Sequence, residues 1–396
     1  DVVHAVRGHG NSLGYGGAAA VGRRPAVVGW QVQWAARRIA PGPHSRPHMI
    51  PAAPLPLQPD TAPAPAPTAF TPAPRWQRLW RESVRDPREL LGLLGLDAAA
   101  AGISGAAAMQ FPLRVPRGFV ARMRPGDLHD PLLRQVLPVD AEERIVPGFG
   151  LDAVGDAAAK KAEGVIHKYR GRALLVATGS CAVHCRYCFR RHFPYADETA
   201  ARDGWAGAVA AIADDASIGE VILSGGDPLS LATPKLAELT AQLAAIPHLR
   251  RLRIHSRLPI VLPERVDAAL LQWLAALPWP VAFVVHANHA NEFDASVDSA
   301  ITALRGTGAQ LLNQAVLLRG VNDSVEALAD LSERSFAAGV LPYYLHQLDH
   351  VAGVAHFEVP DGEARALHAA LAARLSGYLV PKLVREVPGD TGKRPL

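Results

Sequence analysis

From residue 172 onward, short β-branched or aliphatic runs alternate with stretches of helical periodicity, and this alternation limits the fold more than any other feature of the sequence. The runs fall at 173–177, 220–223, 251–255, 281–286, 310–316 and 342–346. Strands of this kind, separated by roughly 30 to 45 residues, pair in parallel through right-handed helical crossovers. Six strand-helix pairs predict an α/β fold, a partial or closed (β/α)6 barrel, with its site at the C-terminal ends of the strands.

The helices carry their own signals. Leu236, Leu239, Leu243 and Ile246 share one face of a helix over 234–246, and Thr233 with Pro234 marks its start. A second helix follows Asp323, with Glu326 three residues on in the manner of a capping box and Gly339 as its stop. A last one places Leu367, Leu371 and Leu375 ahead of Gly377.

Polar residues gather where the predicted strands end. Gly225, Gly226 and Asp227 follow the second strand, His255 and Arg257 the third, and His286 the fourth; Gln314 lies within the fifth, and Asp349 follows the sixth. Each alone reads as a turn or a satisfied core group, and only their shared position makes them a candidate site. The glycines are expected to let backbone approach a ligand closely, and Asp227 to be free to turn the chain.

After the first strand comes Cys181-Ala182-Val183-His184-Cys185-Arg186-Tyr187-Cys188, which holds every cysteine of the chain. Three thiolates in so short a loop suit a soft inorganic centre, an iron–sulfur cluster or zinc. A four-iron cubane on three cysteines keeps one iron open to a small molecule. A structural zinc would need a fourth ligand, His184 or His192, and a disulfide framework does not fit an odd count in a long chain. The expected compartment is the reducing cytoplasm.

A net charge of +4 could suggest nucleic acid, but its distribution argues against it. Residues 1–48 hold six arginines and one acid; of the chain's 41 basic and 37 acidic residues, 35 and 36 remain in the rest. The basic surplus belongs to the leader and describes no binding face on the body. The leader reads as an upstream extension with Met49 as the natural start. Residues 49–74 follow as a Pro/Ala-rich segment, with nine prolines between 51 and 74, that can form neither helix nor sheet. Residues 75–171 read as a helical and irregular wrapping region, with two short helices separated by Asp86-Pro87. No apolar stretch approaches the ~18 residues a membrane helix needs.

The cysteine loop, Gly-Gly-Asp-Pro-Leu at 225–229 and Asn-Gln-Ala-Val-Leu-Leu-Arg-Gly-Val-Asn-Asp at 313–323 together resemble the radical S-adenosylmethionine enzymes of the lysine 2,3-aminomutase family. The resemblance covers roughly residues 75–396 and is closest to the branch that makes (R)-β-lysine for elongation factor P, which shares Phe-Pro-Leu-Arg-Val-Pro-Arg at 111–117. It implies an isomerase with a barrel over 172–377 and a C-terminal segment, 378–396, bearing the lysine that carries pyridoxal phosphate. Cys181, Cys185 and Cys188 would hold a 4Fe-4S cluster that cleaves S-adenosylmethionine to a 5′-deoxyadenosyl radical. That radical removes hydrogen from Cβ of L-lysine, whose amino nitrogen then moves from Cα to Cβ.

Position by position, the resemblance implies that Lys393 carries pyridoxal phosphate and that Tyr169 and Arg172 contact it. Arg190 would take the substrate carboxylate and Asp349 its distal ammonium, while the strand-end residues 225–227, 255, 257, 286 and 314 would contact cofactors. Glu386 stands where the catabolic branch has a second aspartate, and Tyr187 where that branch has histidine. No cysteines remain for that branch's structural zinc. The implied partners are L-lysine and a reductant such as flavodoxin or ferredoxin. Rearrangement of glutamate or arginine, a radical enzyme without pyridoxal phosphate and an iron–sulfur sensor remain as alternatives.

Overall fold

The computed structural model describes residues 73–396 except 196, 197 and 199. The expected leader and the Pro/Ala-rich segment therefore lie outside the described residues. The described chain is organised on one ten-stranded sheet, in linear order: β1 (Lys160–Ala162), β2 (Val165–Tyr169), β3 (Arg172–Thr178), β4 (Glu220–Gly225), β5 (Arg251–Ser256), β6 (Val281–Val285), β7 (Gln310–Val316), β8 (Leu341–His346), β9 (Lys382–Arg385) and β10 (Arg394–Pro395). Strands β3 to β9 run parallel, and the two ends of the sheet pair antiparallel.

Helices at Ala206–Ala213, Thr233–Ala244, Ala268–Ala275, Ala295–Arg305, Val325–Ala338 and Asp361–Arg374 follow β3 to β8 in turn. This is an open (β/α)6 barrel, as the alternation predicted, and β9 extends it. Aliphatic side chains of the strands, such as Leu175, Leu223 and Ile254, are fully buried with Leu236, Leu239 and Leu243 in the main core. A second cluster of Leu318, Val321, Leu348, Val351, Val354 and Phe357 packs beneath the loops after β7 and β8, against Tyr187 and Phe189 of the cysteine loop. The functional loop is thus floored by a core of its own.

Four strands escaped the periodicity reading. At two to five residues each, β1, β2, β9 and β10 are too short to show a pattern. Two helix starts also differ. Ser324, rather than Asp323, caps Val325–Ala338 by accepting from the Ala327 N–H at 3.1 Å, because Asp323 is turned back onto the Gly320 N–H at 2.8 Å. Thr233 lies inside its helix, and the cap position is Ala232, which has no side chain to offer. Asp86 does cap Pro87–Leu93 as the sequence suggests.

Two edge features position the site. The tight turn at Gly171, with φ +83, folds β2 back on β3 and brings Lys168 and Tyr169 beside the barrel mouth. At the other edge Arg394 pairs with Arg385 and Pro395 with Val384, a register that sets Lys393 across from Glu386. Among the described residues no helix is long and apolar enough to cross a membrane.

Candidate active site

The C-terminal strand ends and the two edge hairpins enclose a cavity of about 570 Å3. The sixteen residues expected to hold cluster, cofactors or substrate all line it: the three cysteines, Tyr169, Arg172, Arg190, Gly225, Gly226, Asp227, His255, Arg257, His286, Gln314, Asp349, Glu386 and Lys393; of the two histidines considered for zinc, His184 lines it and His192 does not.

The cysteine loop is held from outside by arginines. Glu142, buried, accepts from Arg186 Nε at 2.8 Å and Arg191 Nη2 at 2.7 Å, and Arg114 donates to the Cys181 carbonyl at 3.1 Å. Inside the cavity Arg257 Nη1 donates to both Cys185 Sγ and the Tyr187 hydroxyl at 2.7 Å, while its Nη2 reaches Gln135 and Glu292. As free thiols, Cys181 and Cys188 are pushed up by burial and by the neighbouring cysteines, Cys188 to about 11. A thiolate in such surroundings needs a cation beside it, which iron supplies. Among the described residues no three His, Cys, Asp or Glu side chains stand close enough to share a single ion. Three cysteine thiols lining one cavity are the donor types a 4Fe-4S cluster takes, so the residues present fit one.

Gly225 and Gly226 also meet a requirement that the sequence did not show. A Cβ on Gly225 would lie 2.5 Å from the Thr178 carbonyl, and one on Gly226 2.5 Å from the Ser180 carbonyl. Close approach is required here by backbone, the entry to the cysteine loop, rather than by a ligand alone; Gly225 also has φ +118. Asp227 likewise is not free. Its carboxylate accepts from the N–H groups of Leu229, Arg257 and Leu258 and from Ser256 Oγ, so it ties the end of β4 to the end of β5. Burial still raises it to about 6.

The opposite side of the cavity is built around Lys393. Its Nζ lies 2.6 Å from His346 Nε2, 3.8 Å from Glu386 Oε2 and 5.0 Å from the centre of the Tyr344 ring. Burial lowers Lys393 to about 8, so roughly a tenth is neutral amine at pH 7, far more than for an ordinary lysine. His346, His255 and His286 are all pushed down by burial, His286 to about 3, and stand as neutral imidazoles; His255 Nδ1 and His286 Nε2 are 3.2 Å apart. Asp349 is raised to about 7, by burial first and then by Glu386. The guanidinium of Arg172 lies 4.6 Å over the Tyr169 ring, and the Gln314 side-chain oxygen is buried in the wall without a hydrogen-bond partner. A buried near-neutral lysine, an arginine at the rim and an orphaned acceptor fit a carbonyl cofactor bearing a phosphate.

Asp156 and Lys168 of this wall were not read from the sequence, whereas His346 was among the polar residues at the end of the sixth predicted strand. Arg190 Nε donates to Asp156 at 2.8 Å, and Lys168 Nζ sits 2.6 Å from Asp156 and 2.9 Å from Glu386. The available signal was the pair of runs 165–169 and 172–178 around Arg170-Gly171, a hairpin pattern that puts Ile166 and Lys168 on one face.

No family model matches the chain. It is 49% identical over 322 residues to the L-lysine 2,3-aminomutase of Escherichia coli (strain K12), covering 81% of this chain and 94% of the relative. To the enzyme of the same name from Haemophilus influenzae it is 43% identical, covering 80% and 94%. To that from Clostridium subterminale it is 34% identical over 279 residues, covering 70% and 67%. A solved radical SAM methyltransferase from Sphaerobacter thermophilus aligns with 56% of this chain and 68% of its own at 18% identity and a TM-score of 0.39.

Proposed function

The chain belongs to the lysine 2,3-aminomutase family, and from that premise we propose that it converts L-α-lysine to β-lysine in the cavity shared by the cysteine loop and Lys393. The observation that carries the reading is the opposition, across about 570 Å3, of three thiols on one wall and a buried, near-neutral lysine on the other. When bound, a 4Fe-4S cluster with S-adenosylmethionine and pyridoxal phosphate supply radical hydrogen abstraction at Cβ and a route for the amino group from Cα to Cβ.

The chain's own residues do the rest. Cys181, Cys185 and Cys188 hold the cluster, and the Arg257 donor to Cys185 stabilises negative charge on its sulfur. Lys393 attaches pyridoxal phosphate as a free amine, with neutral His346 accepting its N–H. Arg172 and Tyr169 face the phosphate-bearing cofactor from the β2–β3 hairpin, and Gln314 and the strand-end residues orient the adenosyl group. Arg190 receives the substrate carboxylate. Asp349 receives the distal ammonium, which favours its ionised form and selects lysine over uncharged chains.

The same reading assigns the protein to the cytoplasm, with a flavodoxin or ferredoxin as reductant and β-lysine destined for elongation factor P. The 49% identity to a curated relative and the 111–117 segment support that branch. The test is anaerobic reconstitution with L-lysine, L-glutamate and L-arginine in parallel and chiral analysis of the products. β-Lysine from lysine alone is expected; rearranged glutamate without β-lysine refutes the reading and the role of Asp349.

A further inference from the structure

Resting on that reading, we propose that Lys168 and Asp156 are positioning residues forming a buried ion chain between Arg190, the receiver of the substrate carboxylate, and Glu386 beside Lys393, and that this chain sets the length of diamino acid the site accepts. Charges alternate along it. Asp156 offers one oxygen to Arg190 Nε at 2.8 Å and the other to Lys168 Nζ at 2.6 Å. Glu386 offers Oε1 to Lys168 at 2.9 Å and Oε2 to Lys393 at 3.8 Å. No side chain in the chain is more than 19% exposed.

Lys168 is held by the protein on three sides: its Nζ donates to Glu386 Oε1 at 2.9 Å and to the Val154 carbonyl at 2.8 Å, and it forms an ion pair with Asp156 Oδ1 at 2.6 Å. Its three partners come from two separate parts of the molecule. Val154 and Asp156 belong to a segment joined to the loop after β8 by the bridge between Gly150 and Val351, and Glu386 follows β9. Stability alone does not account for the arrangement, since a buried ion pair does no better than a well-packed apolar pair of similar volume. What it provides is a fixed separation. Glu386 has one carbon more than an aspartate, and Lys168 takes up one oxygen of that longer side chain. Glu386 neighbours Asp349, the receiver of the distal ammonium, and without Lys168 its carboxylate is free to join Asp349 in following an ammonium at more than one depth.

The test uses the cofactor-loaded protein and compares L-lysine with L-ornithine, one carbon shorter, and L-norleucine, which lacks the ammonium. Equilibrium binding is read from the change in pyridoxal absorbance, and KM and kcat are measured alongside. In Lys168→Met the preference for lysine over ornithine is expected to fall about tenfold, with KM moving more than kcat, the scale expected for coupled groups in one network. Lys168→Arg is expected to restore most of the preference, and Asp156→Asn to lose it. If Lys168→Met does not fold, the contrast between the other two variants decides. An unchanged lysine-to-ornithine ratio in Lys168→Met, or equal ratios in Lys168→Arg and Asp156→Asn, overturns the ion chain as a ruler. A wild-type protein that does not prefer lysine over norleucine overturns instead the functional reading beneath it.

Discussion

Replacing Asp349 with asparagine should stabilise the protein while removing its selectivity, and the gain should depend on pH in a defined direction. Burial and Glu386 raise this carboxyl from 3.8 to about 7 in the folded protein. A folded-state pKa above the unfolded one means that stability is intact below about pH 4 and is lost as pH rises toward 7, because only the unfolded chain sheds the proton there. At about 1.4 kcal/mol per unit, the penalty grows by roughly 3 kcal/mol between pH 5 and pH 8, an upper figure because water in the cavity screens the charge. Asparagine has no proton to lose, so its advantage over wild type should vanish below about pH 4, be about 2 kcal/mol at pH 5 and grow by several degrees in Tm at pH 8. The assay is thermal unfolding of the cofactor-free proteins at both pH values, with lysine and norleucine binding as the functional readout. A wild-type-to-variant difference that is flat with pH would refute the burial argument, and retained preference for lysine would refute the role in recognition.

Pyridoxal phosphate capture, followed by its visible absorbance, should rise about tenfold per pH unit below 8 and level off above it, since Lys393 is lowered to about 8 and only its neutral form attacks a carbonyl; Lys393→Ala should abolish the absorbance. Gly226→Ala must move either the new methyl or the Ser180 carbonyl, which would be 2.5 Å apart, and should lower Tm and iron retention together through about 1–3 kcal/mol of strain. Glu142→Gln leaves Arg186 and Arg191 buried with diminished compensation and should cost about 3–5 kcal/mol in chemical denaturation, with cluster absorbance lost earlier than the far-ultraviolet signal.

The six barrel strands were legible because each is a run of aliphatic residues bounded by helical periodicity, and β3 to β8 match those runs to within two residues at either end. The cysteine loop was legible because the chain spends its only three cysteines there. Asp156 and Lys168 were not, because their partners Arg190 and Glu386 lie 34 and 218 positions away and only the folded sheet brings them together. His346 was visible at the end of the sixth run, but nothing local places it against Lys393, 47 positions away. Asp227 was only partly legible: its Gly-Gly-Asp-Pro setting suggests a turn, and it does cap Pro228–Ser230 through the Leu229 N–H, but nothing local reveals that two N–H groups and a hydroxyl from the next strand end also converge on its carboxylate.

The antiparallel pairing of β9 with β10 rests on two ladder pairs. Side chains alternate faces along a strand, so a slip of one residue would turn Lys393 away from the cavity and present Gly392 or Arg394 in its place. The number of residues between 386 and 393 is therefore as much a part of the active site as the lysine. A single-residue deletion there would act like a substitution of Lys393 even though every functional side chain remained in the sequence, and so would an insertion that moved the pairing.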